Sequence, residues 1–204
     1  MVARAENLAL LGGVLCLDFT NTIEPRTEGQ PREYLVHYSD LVGWSRHVDI
    51  LTDEEAESLL NRSATLRAEA EVARERAITL REAIYRLFCA IAQKRSPKMD
   101  DLNILNNALP EALTRLKILP TEEGFALRWV REEGALDSML WPIVWSATKL
   151  LTTVEPLRLK QCDGCGWLFL DESRNRSRRW CDMSVCGNRA KARRYYQRHR
   201  KQSK

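Results

Sequence analysis

Residues 159–188 read LKQCDGCGWLFLDESRNRSRRWCDMSVCGN. Four of the chain's six cysteines fall in this stretch, at Cys162, Cys165, Cys181 and Cys186. Fifteen residues separate Cys165 from Cys181, and four separate Cys181 from Cys186. Zinc takes four soft ligands in a tetrahedron, with sulfur about 2.3 Å from the metal. A Cys-x-x-Cys turn puts two thiolates on one side of such a site. Gly164 and Gly166 relax the turn so that backbone amides can point at sulfur. A lone pair would also suit a redox centre, but that chemistry needs neither the second pair nor the helix that follows. Four thiolates leave no open coordination position, so the expectation is one structural Zn2+ and no catalytic metal.

Downstream, residues 189–200 read RAKARRYYQRHR, with good helix formers and no Gly or Pro. A helix starting near Cys186 is expected to run through them. Arg189, Arg193, Tyr196 and Arg200 fall on one stripe, with Lys191, Arg194 and Arg198 on a neighbouring one. Arg174, Arg176, Arg178 and Arg179 precede the second cysteine pair as a basic loop or hairpin tip. Trp167–Leu170 and Arg178–Trp180 are expected to form the hairpin joining the two pairs, with Trp167, Phe169 and Trp180 as a small core. The alternative for one of these aromatics is stacking on bases.

Charge sets this segment apart. The 204 residues carry a formal net charge of +4, but Arg174–Lys204 alone holds twelve Lys/Arg against one acid, Asp182. Like charges at helical spacing cost stability unless a polyanion relieves them, and phosphate is the obvious one. A nucleic acid is therefore the expected partner, with DNA favoured over RNA. Arg reads guanine in a major groove, and Asn188 and Gln197 are weaker candidates for adenine. Helix-start capping is an equal reading of Asn188.

Upstream, the pattern predicts a mainly helical domain with one small β-hairpin. Gly13–Thr22 fits either a helix or a strand running into a turn. Ser39–Val48 reads as a short helix capped by Ser39. Thr52-Asp53-Glu54-Glu55 is a capping box opening another. Residues 65–94 keep helical apolar spacing up to the Ser96-Pro97 stop, and a further helix is expected over 98–108. Leu116–Leu119 and Phe125–Val130 flank Thr121-Glu122-Glu123-Gly124 as a hairpin. Asp137–Val154 is the last helix, with Pro142 kinking it or marking its start. Glu155-Pro156 places the domain boundary, giving 1–155 and 156–204.

The string Cys186-Gly187-Asn188-Arg189, with Cys-x-x-Cys and Trp180-Cys181 before it, resembles the CGNR zinc finger. That finger ends bacterial proteins described as stress-induced transcription regulators. The N-terminal part resembles their partner domain, called ABATE. This rests on residues 13–22 (GVLCLDFTNT), on Leu41-Val42-Gly43-Trp44 and on Leu80-Arg81-Glu82-Ala83-Ile84. The resemblance implies a treble-clef-like finger that binds DNA, attached to a domain that senses a small molecule.

Asp18, Asn21, Thr22, Trp44 and Arg81 are candidates for a polar ligand pocket within that domain. The competing reading is a buried structural network in which Arg81 pairs with Asp18. Cys16 and Cys89 read as buried small hydrophobes. His37 and His47 are isolated, and the chain has no nucleophile-and-base signature, no phosphate-binding Gly loop and no HExxH motif. An enzyme is not expected.

No apolar run reaches the roughly 18–20 residues that span a bilayer. Leu8–Leu17 is apolar, but Glu6 precedes it and no small-x-small cleavage site follows, so a leader peptide is not expected. A reducing, cytoplasmic setting follows, with a homodimer as a further expectation. The function classes are a DNA-binding regulator, an RNA- or ribosome-associated protein, and an enzyme recruited to nucleic acid by the finger.

Overall fold

A computed structural model describes residues 3–27, 30–131 and 135–202; the side chains of 198 and 200–202 lie outside the described set. The chain begins with a single 3-10 turn and then α1 (Leu15–Thr20). The helix alternative for Gly13–Thr22 is therefore the one adopted. Cys16, Leu17 and Phe19 on α1 are fully buried, so this short helix threads the middle of the domain. Strands β1 (Ile23–Glu24) and β2 (Arg32–Glu33) pair antiparallel behind it.

Four helices follow: α2 (Tyr38–His47), α3 (Asp53–Thr65), α4 (Arg67–Ala92) and α5 (Met99–Arg115). The capping box at Thr52 forms as read, with Glu55 N donating to Thr52 Oγ1 and Thr52 N to Glu55. The cap of α2 differs from expectation. It is His37, with Asp40 accepting from His37 N at 2.7 Å, and Ser39 lies inside the first turn. The long helix starts at Arg67, because Leu66 breaks away from helical angles to form a corner with α3. Helix α5 runs past its expected end, carrying Pro110 in its interior. The proline's missing donor is offset by burial of Leu105 before it and Ala112 after it.

Helix α4 is the spine. Ala70, Ala73, Ala77, Leu80, Ile84 and Leu87 are buried at three- and four-residue spacing. Its alanines let neighbouring helices approach, and each buried Leu or Ile contributes roughly 2 kcal/mol. Tertiary burial thus holds this helix more than propensity does. Helix α6 (Leu140–Thr153) closes the core with Ile143, Val144 and Ala147. Pro142 falls in its first turn and so marks a start, not a kink. Between α5 and α6 the expected hairpin forms from β3 (Leu116–Thr121) and β4 (Gly124–Trp129).

The C-terminal segment contains β5 (Leu159–Gln161), β6 (Leu168–Leu170), a π-helical turn Met183–Gly187, and α7 (Asn188–Gln202). The hairpin pairing departs from expectation. Residues 168–170 pair with 159–161, while 178–180 form no strand. The Cys-x-x-Cys turn is itself the hairpin's loop, which holds its two thiolates together. Leu159 and Leu168 belong to the same buried cluster as the helices of the N-terminal part, so the two segments share a core. No helix among the described residues is long and apolar enough to cross a membrane.

Candidate metal centre and nucleic-acid interface

The hairpin loop supplies Cys162 and Cys165, and the turn before α7 supplies Cys181 and Cys186. All four thiols are buried, and the sulfurs lie within 4.8 Å of one another. Cys165 Sγ is 3.6 Å from Cys181 Sγ, which is 3.8 Å from Cys186 Sγ. A tetrahedron with zinc–sulfur bonds of about 2.3 Å has sulfurs about 3.8 Å apart, so the donor set fits one zinc ion.

Backbone geometry supports the same reading. Gly164 N points at Cys162 Sγ at 3.4 Å. A Cβ on Gly164 would press on Cys186 Cβ at 3.1 Å, so glycine lets the two halves of the site close. Crowded this way, the thiols oppose one another's ionisation. A hydrogen bond to Cys162 together with burial pushes the Cys165 thiol up, while hydrogen bonds from Cys165 and Cys181 pull Cys162 down. A bound divalent cation removes that conflict by letting all four be thiolates.

Around the metal centre, Trp167 and Phe169 are buried and Trp180 packs partly buried against them. Asp171 organises the basic loop by accepting from Ser173 N and Arg178 N. Burial alone would raise its carboxyl, but these hydrogen bonds outweigh burial and hold it below the usual range. Asp182 caps the turn leading into α7, accepting from Ser184 N at 2.6 Å and Val185 N at 3.3 Å. An Asp ahead of a helical run is a legible cap signal, and the sequence reading overlooked it. Asn188 is not that cap; its amide donates back to Ser184 O at 2.9 Å.

The basic residues fall into two groups. Some are committed to the protein. Arg176 pairs with Glu155, and Arg179 with Asp163 at 2.6 Å. Arg178 donates to Cys181 O and lies over the Phe169 ring. Arg189 lies 3.9 Å from Glu24, on the N-terminal part. The second group is exposed. Among the described residues, Arg174, Lys191 and Arg193 have no carboxylate partner. Arg194 lies 6.0 Å over the Trp180 ring. Gln197 is exposed on the same helix, and the Arg198 side chain lies outside the described residues. Tyr195 and Tyr196 are 58% and 72% exposed.

Of the residues proposed for a pocket, Arg81 meets Thr22, while Asp18, Asn21 and Trp44 are engaged elsewhere within the protein. Arg81 does not pair with Asp18. It is fully buried and donates to Glu33 through both terminal nitrogens at 2.6 Å, to Glu82 at 2.9 Å and to Thr22 Oγ1 at 3.1 Å. Strand β2 and helix α4 deliver those carboxylates, and sequence spacing could not reveal it. Arg26 grips the other face of Glu82 at 2.8 Å and stacks on Tyr85. Asp18 instead accepts from Gly12 N at 2.7 Å, and burial pushes its carboxyl up to about 6. Trp44 packs on Phe19, its ring nitrogen lacking a partner among the described residues.

Asn21 faces the finger. Its amide donates to Leu168 O at 2.9 Å and its carbonyl accepts from Leu168 N at 3.0 Å. Around it, Arg26 N donates to Cys165 O, Trp167 Nε1 to Ile23 O, Tyr85 Oη to Gly166 O, and Leu170 N to Gly12 O. This seam reaches the backbone of a zinc-ligating cysteine.

Two family models match the chain. One, ABATE, described as "Putative stress-induced transcription regulator", covers residues 13–154, and the other, the CGNR zinc finger, covers 158–199. No curated protein matches significantly. The chain thus belongs to the ABATE family, with a CGNR zinc finger at its C-terminal end.

Proposed function

We propose that this protein is a zinc-dependent, DNA-binding transcription regulator, with no catalytic role. The observation that carries the reading is helix α7. It projects from the metal centre with Lys191 and Arg193 exposed and unpaired among the described residues, so desolvating them against phosphate sacrifices no internal ion pair. Zinc fixes the helix at Cys186, and Asp182 caps the turn before it. Lys191, Arg193, Arg194 and Arg174 are the proposed phosphate contacts, with Gln197 and Arg198 farther along the helix. Arg176, Arg178, Arg179, Arg189 and Asn188 act through the internal contacts described above. In this reading the N-terminal domain is the regulatory body. An effector acts by shifting α1, whose end carries the Asn21 link to the finger.

The test is a salt series of zinc-loaded protein on duplex DNA with matched RNA as competitor. Lys191→Ala and Arg193→Ala should each weaken binding and flatten the salt slope by about 1. Unchanged affinity in both would sink the assignment. RNA is the second reading, favoured by the exposure of Tyr195 and Tyr196, because unstacked bases need aromatic platforms. Preference for single-stranded RNA that is lost in Tyr196→Ala would select it.

A further inference from the structure

Helices α4, α5 and α6 do not close completely where they converge. They leave a cleft of about 490 Å3, within the range that small-molecule sites occupy. Its inner wall is apolar: Leu80 of α4 with Trp141 and Val144 of α6 are buried, and Ile104 of α5 is half-buried. Thr79 and Ala108 also line it, and their small side chains leave the space unfilled. Arg115 steadies the tryptophan, its guanidinium lying 5.6 Å over the Trp141 ring.

Charge at the rim points to what fills the cleft. Among the described residues, the charged groups lining it are Glu75, Arg76, Glu111 and Asp137. Arg76 is paired with Asp137 at 2.7 Å. Glu75 and Glu111 have no ion-pair partner among the described residues, and Arg74, beside Glu75 in the chain, is held by Glu71. These two glutamates flank the cleft from different helices, α4 and α5. Uncompensated carboxylates around low-dielectric walls focus negative potential into the space between them. A ligand that complements both features carries an apolar body and a positive group.

The cleft also adjoins the path to the finger. Helix α6, which supplies its Trp141 and Val144, carries Ser146, whose Oγ accepts from Cys16 N at 3.1 Å. That amide is one of the orphan donors at the start of α1, and Val14 offers it no side-chain cap.

We propose that the cleft binds a small amphipathic organic cation and is the effector site of the regulator. A ligand seated against Trp141 and Val144 shifts α6 and, through Ser146, the start of α1, whose far end carries the Asn21 link to Leu168. The effector role rests on the regulator reading above; the binding site does not.

Calorimetry on the full-length zinc-loaded chain, without DNA, tests the site. Methyltriphenylphosphonium and triphenylphosphine oxide are close in shape and differ in charge. The cation should bind about tenfold tighter than the neutral compound. Glu75→Gln/Glu111→Gln should remove that preference. Thr79→Trp, at an exposed position, should block both compounds. Both variants should keep wild-type melting and zinc content. No binding of the cation, equal binding of the two compounds, or binding indifferent to these substitutions overturns the proposal. Saturating cation should then change the DNA affinity of the wild type but not of Thr79→Trp. A chain that binds the cation but no DNA would overturn the regulator reading and leave the site standing. DNA affinity identical with and without bound cation would overturn the effector role alone.

Discussion

The side-chain amide of Asn21 makes both hydrogen bonds of a strand neighbour with the backbone of Leu168, one at 2.9 Å and one at 3.0 Å. Neither is exposed to water, since Asn21 is 2% and Leu168 0% accessible. A residue at the end of α1 therefore substitutes for a missing third strand beside β6. The metal-binding hairpin and the helical domain are joined by this backbone mimicry.

Asn21→Ala should be costly, because it strands a buried N–H and a buried carbonyl together. At about 1–3 kcal/mol for each unsatisfied group, the loss is roughly 2–6 kcal/mol. Thermal unfolding should show it. Zinc transfer to a colorimetric chelator should also speed up, since β6 continues directly from the Cys-x-x-Cys loop. A variant with wild-type melting and release would mean that this link is not structural.

Metal removal should reach beyond the finger. Leu159 and Leu168 are part of the main buried cluster, so losing the zinc clamp unpacks one wall of the helical domain. The expected result is one zinc per chain by elemental analysis. A strong chelator, or Cys181→Ser, should then lower the melting temperature of the whole chain. If helical signal melts at the same temperature with and without metal, the two segments are independent.

Arg81 should be irreplaceable by an apolar residue. Arg81→Met leaves Glu33 and Glu82 facing each other with one cation fewer, in a site where Arg81 itself is 1% exposed. Breaking a buried pair in this way costs about 3–5 kcal/mol. Both carboxylates are now held below their usual range; burial would raise them, and the arginines outweigh it. Depressed values mean stability that is present at neutral pH and lost as pH falls through the folded values. The variant should therefore lose most of its stability deficit under acid. A deficit that is constant with pH would contradict the pairing.

Asp18 carries the opposite sign. Its carboxyl is raised to about 6 by burial, so its charged form is the strained one. The contribution is fully present below the unfolded value of about 4 and declines as pH rises through about 6. Asp18→Asn keeps the acceptor for Gly12 N without the charge. The substitution should gain about 3 kcal/mol over wild type above pH 6 and little at pH 4. Denaturant midpoints at the two pH values decide it.

Gly166 adopts φ +78°, and a Cβ there would meet Arg26 Cβ at 3.0 Å and the Thr27 methyl at 3.1 Å. Gly166→Ala should combine left-handed strain with crowding against Arg26 and Thr27 and cost about 1–3 kcal/mol. Refolding with zinc should be slower or less complete. Wild-type stability would show that the seam between finger and domain can slide.

Sequence alone determined the metal centre, because Cys162, Cys165, Cys181 and Cys186 carry their chemistry in residue type and spacing. It also determined the basic helix, the turn at Glu122-Glu123-Gly124 and the spine of α4, since helical and strand periods are local properties of the chain. Pairings between distant segments were decided only by the tertiary structure. Arg81 chose Glu33 over Asp18 because β2, a strand of two residues with no pattern of its own, lies against α4. Strand β6 pairs with β5 and not with residues 178–180, whose backbone is engaged elsewhere: Arg178 N donates to Asp171 and Arg179 O accepts from Asp163 N. Which basic side chains stay free was likewise a matter of where Glu24, Glu155 and Asp163 came to rest. Local periodicity fixes elements, whereas the partners of charged and polar groups depend on which elements burial brings together.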